Sequence, residues 1–387
     1  MPTQKLLTNA ILVLPQTILR GSLLVREGLI HTIDAAPSQS PGAIDCEGDF
    51  LLPGLIDLHT DNLERQVQPR SNARWPSMSA LLAHDAQCAA AGITTVFDAL
   101  CLGDIGFERG RAETCDNAIA DLAELVADPD EPRILKSDHR LHLRCELPAP
   151  ALLDQLERHA DNRLLGLVSL MDHTPGFGQY ADLDQFRRVR RPQCTSDAEL
   201  EAQIVALCEQ RDRLLDPNRR FLLARLAGRA IPIASHDDRT EAEIADNAAH
   251  GVSIAEFPVT AAAAAAAHTA GLGIIAGAPN LVRGGSHSGN VAAATLLRAG
   301  LVDALASDYV PSSLIEAAFA AARATARDLA DALPGAIALV TANPARMAGL
   351  ADRGALRPGL RADLVRVRLH RGLPVIRGVW SAGERVC

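Results

Sequence analysis

Eight short, largely apolar runs alternate with longer helix-like stretches along the middle of this chain, at 55–59, 94–99, 141–147, 166–173, 231–236, 253–257, 273–278 and 304–308. No other feature narrows the fold as much. Strands separated by helices pair in parallel, because a parallel partner is reached only through a crossover. Repeated across residues 53–351, the pattern predicts an α/β fold of the (β/α)₈, TIM-like barrel type. Amphipathic periodicity at 79–91, 199–214 and 313–333 supplies outer helices. An open, doubly wound sheet is the competing arrangement, but no glycine-rich nucleotide turn follows the first run.

The two ends read differently. Residues 1–52 contain short strands around 11–14, 23–25 and 29–33 with turn signals such as Glu27-Gly28, and residues 352–387 read alike. Neither end is long enough to bury a core alone. Together they predict a small β-sheet domain, a β-sandwich, assembled from both termini beside the barrel.

Composition excludes several function classes. A net charge of −9 over 387 residues disfavours general binding to nucleic acid or an anionic membrane. A polyanionic substrate would need a locally positive site. The 8 cysteines contain no Cys-x-x-Cys pair, which predicts reduced thiols in a cytoplasmic protein. The apolar start at 10–14 is cut by Pro15 and Gln16, so it does not read as an export signal. The uncharged stretch 257–282 holds Pro258, His268, Pro279 and an alanine run, and predicts a buried helix and strand, not a membrane span.

The strand ends carry the chemistry. Leu55-Ile56-Asp57-Leu58-His59-Thr60-Asp61 closes the first run, and residues two apart on a strand point the same way. His59 and Asp61 therefore project together at the barrel's C-terminal mouth. In the third run, His142, Arg144 and Glu146 share the face opposite Leu141, Leu143, Cys145 and Leu147, so the ionisable face is the inward one. His173, His236 and Asp308 terminate three further runs. His59, Asp61, Glu146, His173, His236 and Asp308 offer more donors than one open-site metal uses, which predicts two divalent metal ions, Zn²⁺ or Mn²⁺. The only lysines, Lys5 and Lys136, lie outside the predicted strands, so a carboxylate, Glu146, is the expected bridge between the ions. Asp308 is the expected catalytic proton acceptor, with a plain ligand role as its alternative.

Substrate contacts are expected from Arg144 and from the glycine-rich stretch after the seventh run, namely Asn280, Arg283, Ser286, His287 and Ser288. Glycines there let backbone N–H groups approach an anion while the side chains add donors. The basic run 187–191 reads as a solvated face, and Arg70 and Arg74 have similar standing. His84-Asp85 reads as a helix position for which a surface or capping role competes with a catalytic one.

With Leu52-Pro53-Gly54-Leu55-Ile56-Asp57-Leu58-His59, Thr341-Ala342-Asn343-Pro344-Ala345 and Gly359-Leu360-Arg361-Ala362-Asp363-Leu364-Val365, the chain resembles the amidohydrolase superfamily. Most members carry His-x-His on the first strand. Aspartate at the second position here disfavours several deacetylase and cyclic-amidase branches. A more specific likeness is to the phosphonate-utilisation diphosphatase family of the carbon–phosphorus lyase pathway. It is carried by Leu58-His59-Thr60-Asp61-Asn62-Leu63-Glu64, by 139–146, by Ser169-Leu170-Met171-Asp172-His173, by Ala234-Ser235-His236-Asp237-Asp238, by Ala255-Glu256-Phe257-Pro258, by 277–290 and by Ser307-Asp308-Tyr309. That resemblance implies hydrolysis of α-D-ribose 1-methylphosphonate 5-triphosphate to the 5-phosphate and pyrophosphate, with metal-bound hydroxide attacking phosphorus. The rivals are an amide or lactam hydrolase using the same centre and a non-catalytic barrel scaffold. Homo-oligomerisation is left open.

Overall fold

The computed structural model describes residues 4–70, 73–105, 111–126, 133–286, 288–325 and 328–387. Its centre is an eight-stranded parallel sheet formed, in chain and spatial order, by Leu55–Thr60, Ile93–Leu102, Asp138–Glu146, Leu165–Met171, Ile233–His236, Ile254–Glu256, Gly273–Gly277 and Ala304–Ala306. Every run predicted from sequence becomes one of these strands. Closure is made just past the strands: Thr60 bridges Asp308, the Asp308 N–H donates to the His59 carbonyl at 3.0 Å, and the Asp61 N–H donates to the Asp308 carbonyl at 2.8 Å.

The barrel interior holds a compact apolar plug that includes Ile56, Leu58, Phe97, Leu167, Ile254 and Ile275. A larger core lies between strands and helices and includes Leu141, Leu143, Cys145 and Leu147, so the third strand turns its apolar face to the helices as its pattern requires. The helix expected over 313–333 is two helices, Ser313–Thr325 and Leu329–Ala338. The Asp328 side chain accepts from the Ala330 N–H at 2.9 Å and restarts the second one, a cap worth about 1 kcal/mol.

Both termini build one further sheet, in the order Glu384–Arg385, Leu373–Ser381, Leu364–His370, Phe50–Pro53, Gln4–Val13, Ile18–Arg26, Leu29–Asp34, with Ile44–Asp45 also paired to Gln4–Val13. Hydrogen bonds run through all its strands, and residues from both halves of the order, among them Leu23, Ile30, Leu364 and Trp380, share one core. Alternation divides its sides cleanly. Leu51 and Leu364 face the small domain's own core, while Leu52, Val365 and Val367 face the barrel's helices around Phe319. Gly54 joins the two parts where no side chain fits, since a Cβ there would lie 2.1 Å from Thr94 Oγ1.

None of the cysteines is in a disulfide. Among the described residues no helix is long and apolar enough to cross a membrane.

Candidate active site

The C-terminal ends of the strands surround a cavity of about 1170 Å³. His59, Asp61, Arg144, His236, Asp237 and Asp308 line its floor and walls. His59 and Asp61 converge as expected, with Nε2 and Oδ1 3.4 Å apart, but simple alternation is not the reason. A register irregularity falls between Asp57 and Thr60, and Asp61 lies past the strand, at the position just before the helix Asn62–Val67. Asp57 stabilises this bulge from behind, its Oδ1 accepting the backbone N–H groups of His59 and Ser307.

Barrel closure then brings the last strand to the first. His59, Asp61 and Asp308 present donor atoms within 4.8 Å of one another, and His173, His236 and Asp237 form a second such group. Asp237 and Phe257, each directly following a strand, and Asp308, two residues past one, adopt left-handed backbone with φ of 57°, 55° and 55°. Such conformations are costly for residues other than glycine and cluster at functional sites.

One carboxylate ties the two groups together. Glu256, fully buried on a three-residue strand, meets His59 Nδ1 through Oε1 at 2.8 Å and His236 Nδ1 through Oε2 at 2.7 Å. The two imidazoles stack with planes 17° apart. Beneath them His142 spends both ring nitrogens, on the Leu58 carbonyl and the Ser169 hydroxyl, and burial drives its pKa down to about 3, so it is a neutral floor.

Two expectations about roles look different in three dimensions. Glu146 does not lie between the two groups. Its Oε1 accepts the His173 backbone N–H at 2.8 Å and its Oε2 meets His173 Nδ1 at 2.6 Å, so it orients that imidazole from one side. Arg144 reaches Asp61 Oδ1 at 2.6 Å, and its buried Nε has no partner among the described residues. Burial, followed by the neighbouring Asp61 charge, pushes the Asp308 carboxyl up to about 6.

The glycine-rich stretch is only partly loop. Residues Ala278–Arg283 form a short helix ended by Gly284 in left-handed conformation. Asn280, Ser286 and Ser288 line the cavity. Asn280 also pins the following segment, its Nδ2 donating to the Val291 carbonyl and its Oδ1 accepting from the Ala293 N–H. Arg283 sits exposed in the last helical turn and is not a lining residue, and His287 lies outside the described residues. The cavity's arginines are instead Arg65, Arg70 and Arg144. Arg65 donates to the Tyr309 carbonyl at 2.6 Å. Arg74 is held by Glu113, and Arg187 and Arg191 are paired with Glu201 and Asp197, but the run 187–191 is not wholly a solvated face, since Arg190 is buried against Tyr180 and Phe186.

His84 and Asp85 are neither surface nor capping residues. Both are buried in a chain in which Asn62 Nδ2 meets His84 Nδ1, Asp98 bonds His84 Nε2 and His139 Nδ1 at 2.8 Å each, and Asp85 takes His139 Nε2 at 3.2 Å. Glu256 and Asp237 carry no individual role in the sequence reading, which places them only within the stretches 255–258 and 234–238 that support the family likeness. For Glu256 a signal existed: a carboxylate inside the short apolar run Ile254-Ala255-Glu256 has to be paired once buried.

The donor set suits divalent cations. Asp61 and Asp308 converge in a largely buried pocket, where like charges are unfavourable without a cation or a proton between them. Imidazole nitrogens with carboxylate oxygens fit Zn²⁺ or Mn²⁺.

Over 382 residues, covering 98% of this chain and 100% of the relative, the sequence is 41% identical to the α-D-ribose 1-methylphosphonate 5-triphosphate diphosphatase of Escherichia coli K12. The chain belongs to that diphosphatase family. No family model matches the sequence. Among solved structures, N-acetyl-D-glucosamine-6-phosphate deacetylase from Mycobacterium smegmatis superposes with a TM-score of 0.65 at 16% identity, covering 99% of both chains. The 5-methylcytosine deaminase of Klebsiella pneumoniae gives 0.64 at 16%, covering 99% of this chain and 98% of that one. Those two likenesses establish the fold, an amidohydrolase-type barrel with its terminal sheet. His59 and Asp61, at the end of the first strand, sit at the mouth of that barrel.

Proposed function

We propose that the chain hydrolyses α-D-ribose 1-methylphosphonate 5-triphosphate to the 5-phosphate and pyrophosphate, as a divalent-metal-dependent enzyme. The observation that carries this reading is the meeting of two cation-binding groups at the floor of a roomy cavity with Arg65, Arg70 and Arg144 in its walls, in a chain of that family.

His59, Asp61 and Asp308 would hold one cation, and His173, His236 and Asp237 the other. When bound, the cations would supply Lewis acidity, polarising phosphoryl oxygens and acidifying water. The rest is done by side chains. Arg65 and Arg70 meet the polyphosphate as it enters and neutralise its charge, in a chain whose overall charge is negative. Arg144 has a buried donor still to spend, fixes Asp61 and stands beside the phosphoryl oxygens. Asn280, Ser286 and Ser288 offer neutral donors on the opposite wall. Asp308 takes a proton from the attacking water at a carboxylate oxygen. The water oxygen bonds to phosphorus, the bridging P–O bond breaks, and pyrophosphate leaves.

The test is release of pyrophosphate from the ribose triphosphate by metal-replete protein, followed alongside release of inorganic phosphate. Pyrophosphate in step with substrate loss is expected. An intact triphosphate after incubation with fully loaded, folded protein would sink the reading.

A further inference from the structure

We propose that Glu256 is a positioning residue that sets both cation-binding groups at once, holding one imidazole of each in the tautomer and direction needed to bind an ion. The inference deepens the metal centre proposed above and rests on it.

The connectivity is specific. A carboxylate has two acceptor oxygens, and here each is given to a different ring: Oε1 to His59 Nδ1 at 2.8 Å and Oε2 to His236 Nδ1 at 2.7 Å. His59 belongs to the group with Asp61 and Asp308, His236 to the group with His173 and Asp237. With each Nδ1 donating its hydrogen to Glu256, each Nε2 keeps its lone pair. Those Nε2 atoms lie 3.4 Å from Asp61 Oδ1 and 3.5 Å from Asp237 Oδ2, the carboxylates of their respective groups. Outer carboxylates of this kind fix ring orientation and raise ligand basicity.

Glu256 is also kept from acting as an open ligand itself. It is fully buried beneath the rings, and its nearest third donor, His142, has both nitrogens committed to Leu58 and Ser169. The Ile254–Glu256 strand is only three residues long and lies between Ile233–His236, which carries His236, and Gly273–Gly277. The Phe257 ring, left-handed at the next residue, packs edge-on to His59 and His236 at 5.0 and 5.6 Å. Phe257 thus covers both rings, and among the described residues Glu256 is the hydrogen-bond partner of both Nδ1 atoms.

The substitution that discriminates is Glu256→Gln. A carboxamide keeps the shape but has one acceptor and one donor. The ring facing its oxygen retains the Nδ1–H tautomer. The ring facing its NH₂ must accept, moving its own hydrogen to Nε2 and losing the lone pair that binds a cation. One group is thus disabled while the other survives. Glu256→Asp keeps both acceptors one methylene further back, and is expected to retain both ions with weaker affinity.

The experiment uses full-length, metal-stripped protein titrated with Zn²⁺ alone by equilibrium dialysis. Selective ¹⁵N-histidine labelling then reports ring tautomers through their nitrogen shifts and couplings. Wild type is expected to hold two ions, Glu256→Asp two with affinity lowered about 10–100-fold, and Glu256→Gln one, with one additional Nε2–H imidazole. A merely structural role for Glu256 would lower thermal stability without moving a tautomer or removing one of two ions. Wild-type loading of two ions together with unchanged loading and tautomers in Glu256→Gln overturns this inference alone. A wild-type chain that binds no ion overturns the metal centre and this inference together. Should Glu256→Gln fail to fold, the Glu256→Asp titration decides, since unaltered Zn²⁺ affinity there is equally fatal to it.

Discussion

Two clusters in this molecule share the same wiring and have opposite ends. At the mouth, Glu256 bridges His59 and His236; behind the barrel wall, Asp98 bridges His84 and His139. Both are imidazole–carboxylate–imidazole units, and both belong to side-chain groups compact enough to surround an ion. What separates them is what lies on the far side of each ring. The mouth imidazoles line a cavity with carboxylates ahead of them. The rear ones are closed off, His84 by Asn62 and His139 by Asp85, whose oxygens also take the Lys136 and Ser137 N–H groups. One unit has donors to spare, whereas the other has consumed its own and reads as a tie between the helix Ser77–Ala90 and the second and third barrel strands. Similar imidazole–carboxylate units offer a cation site or form a structural bond according to whether they face open space.

The comparison breaks most sharply at the mouth. His236→Ala or Asp61→Ala should lower kcat/KM for pyrophosphate release by about 10³-fold or more, the loss of several kcal/mol of charge stabilisation. The unfolding midpoint of the metal-free protein should change little. At the rear, the effect should be reversed. Asp98→Asn leaves a buried imidazole without its counter-charge and should cost about 3–5 kcal/mol of stability in denaturant unfolding. Its folded fraction should still bind metal at the mouth. If Asp98→Asn removes an ion and spares stability, the assignment of the rear cluster is wrong.

Alkaline pH gives a subtler contrast. Burial disfavours the His139 imidazolium, but the Asp98 charge and the bonds to Asp85 and Asp98 outweigh it and hold its pKa up to about 10, against 6.5 for a free histidine. A pKa raised on folding stabilises fully below the unfolded value and is lost as pH climbs through the folded one. The melting temperature of metal-free protein should therefore decline between about pH 6.5 and 10, and His139→Gln should flatten that decline. The smallest expected effect concerns the cavity wall. Arg70→Ala should raise KM by about 10-fold with kcat nearly unchanged, the loss of one charge-assisted contact. An equal change for Arg283→Ala, which lies outside the cavity, would move the anion site to the other wall.

Much of the barrel was legible because periodicity is local. The inward set His142, Arg144 and Glu146 follows from alternation within one strand, and the structure keeps those three on the inner face. Residues at strand ends were legible too, since a polar side chain that ends an apolar run must sit at a barrel rim. Partnerships were not. Glu146 was expected between two ions and serves His173, while Glu256, three strands further along, takes both His59 and His236. Arg283 looked like an anion contact until the helix Ala278–Arg283 set it in solvent.

The sequence by itself determined the architecture, the inward face of the third strand and the residue types gathered at the rim, because each depends on spacing along one segment. Tertiary structure alone decided which carboxylate meets which imidazole, which of two similar clusters opens onto a cavity, and which arginines face it. Those outcomes depend on barrel closure between Thr60 and Asp308 and on helix packing, where distances are set by segments far apart in the chain.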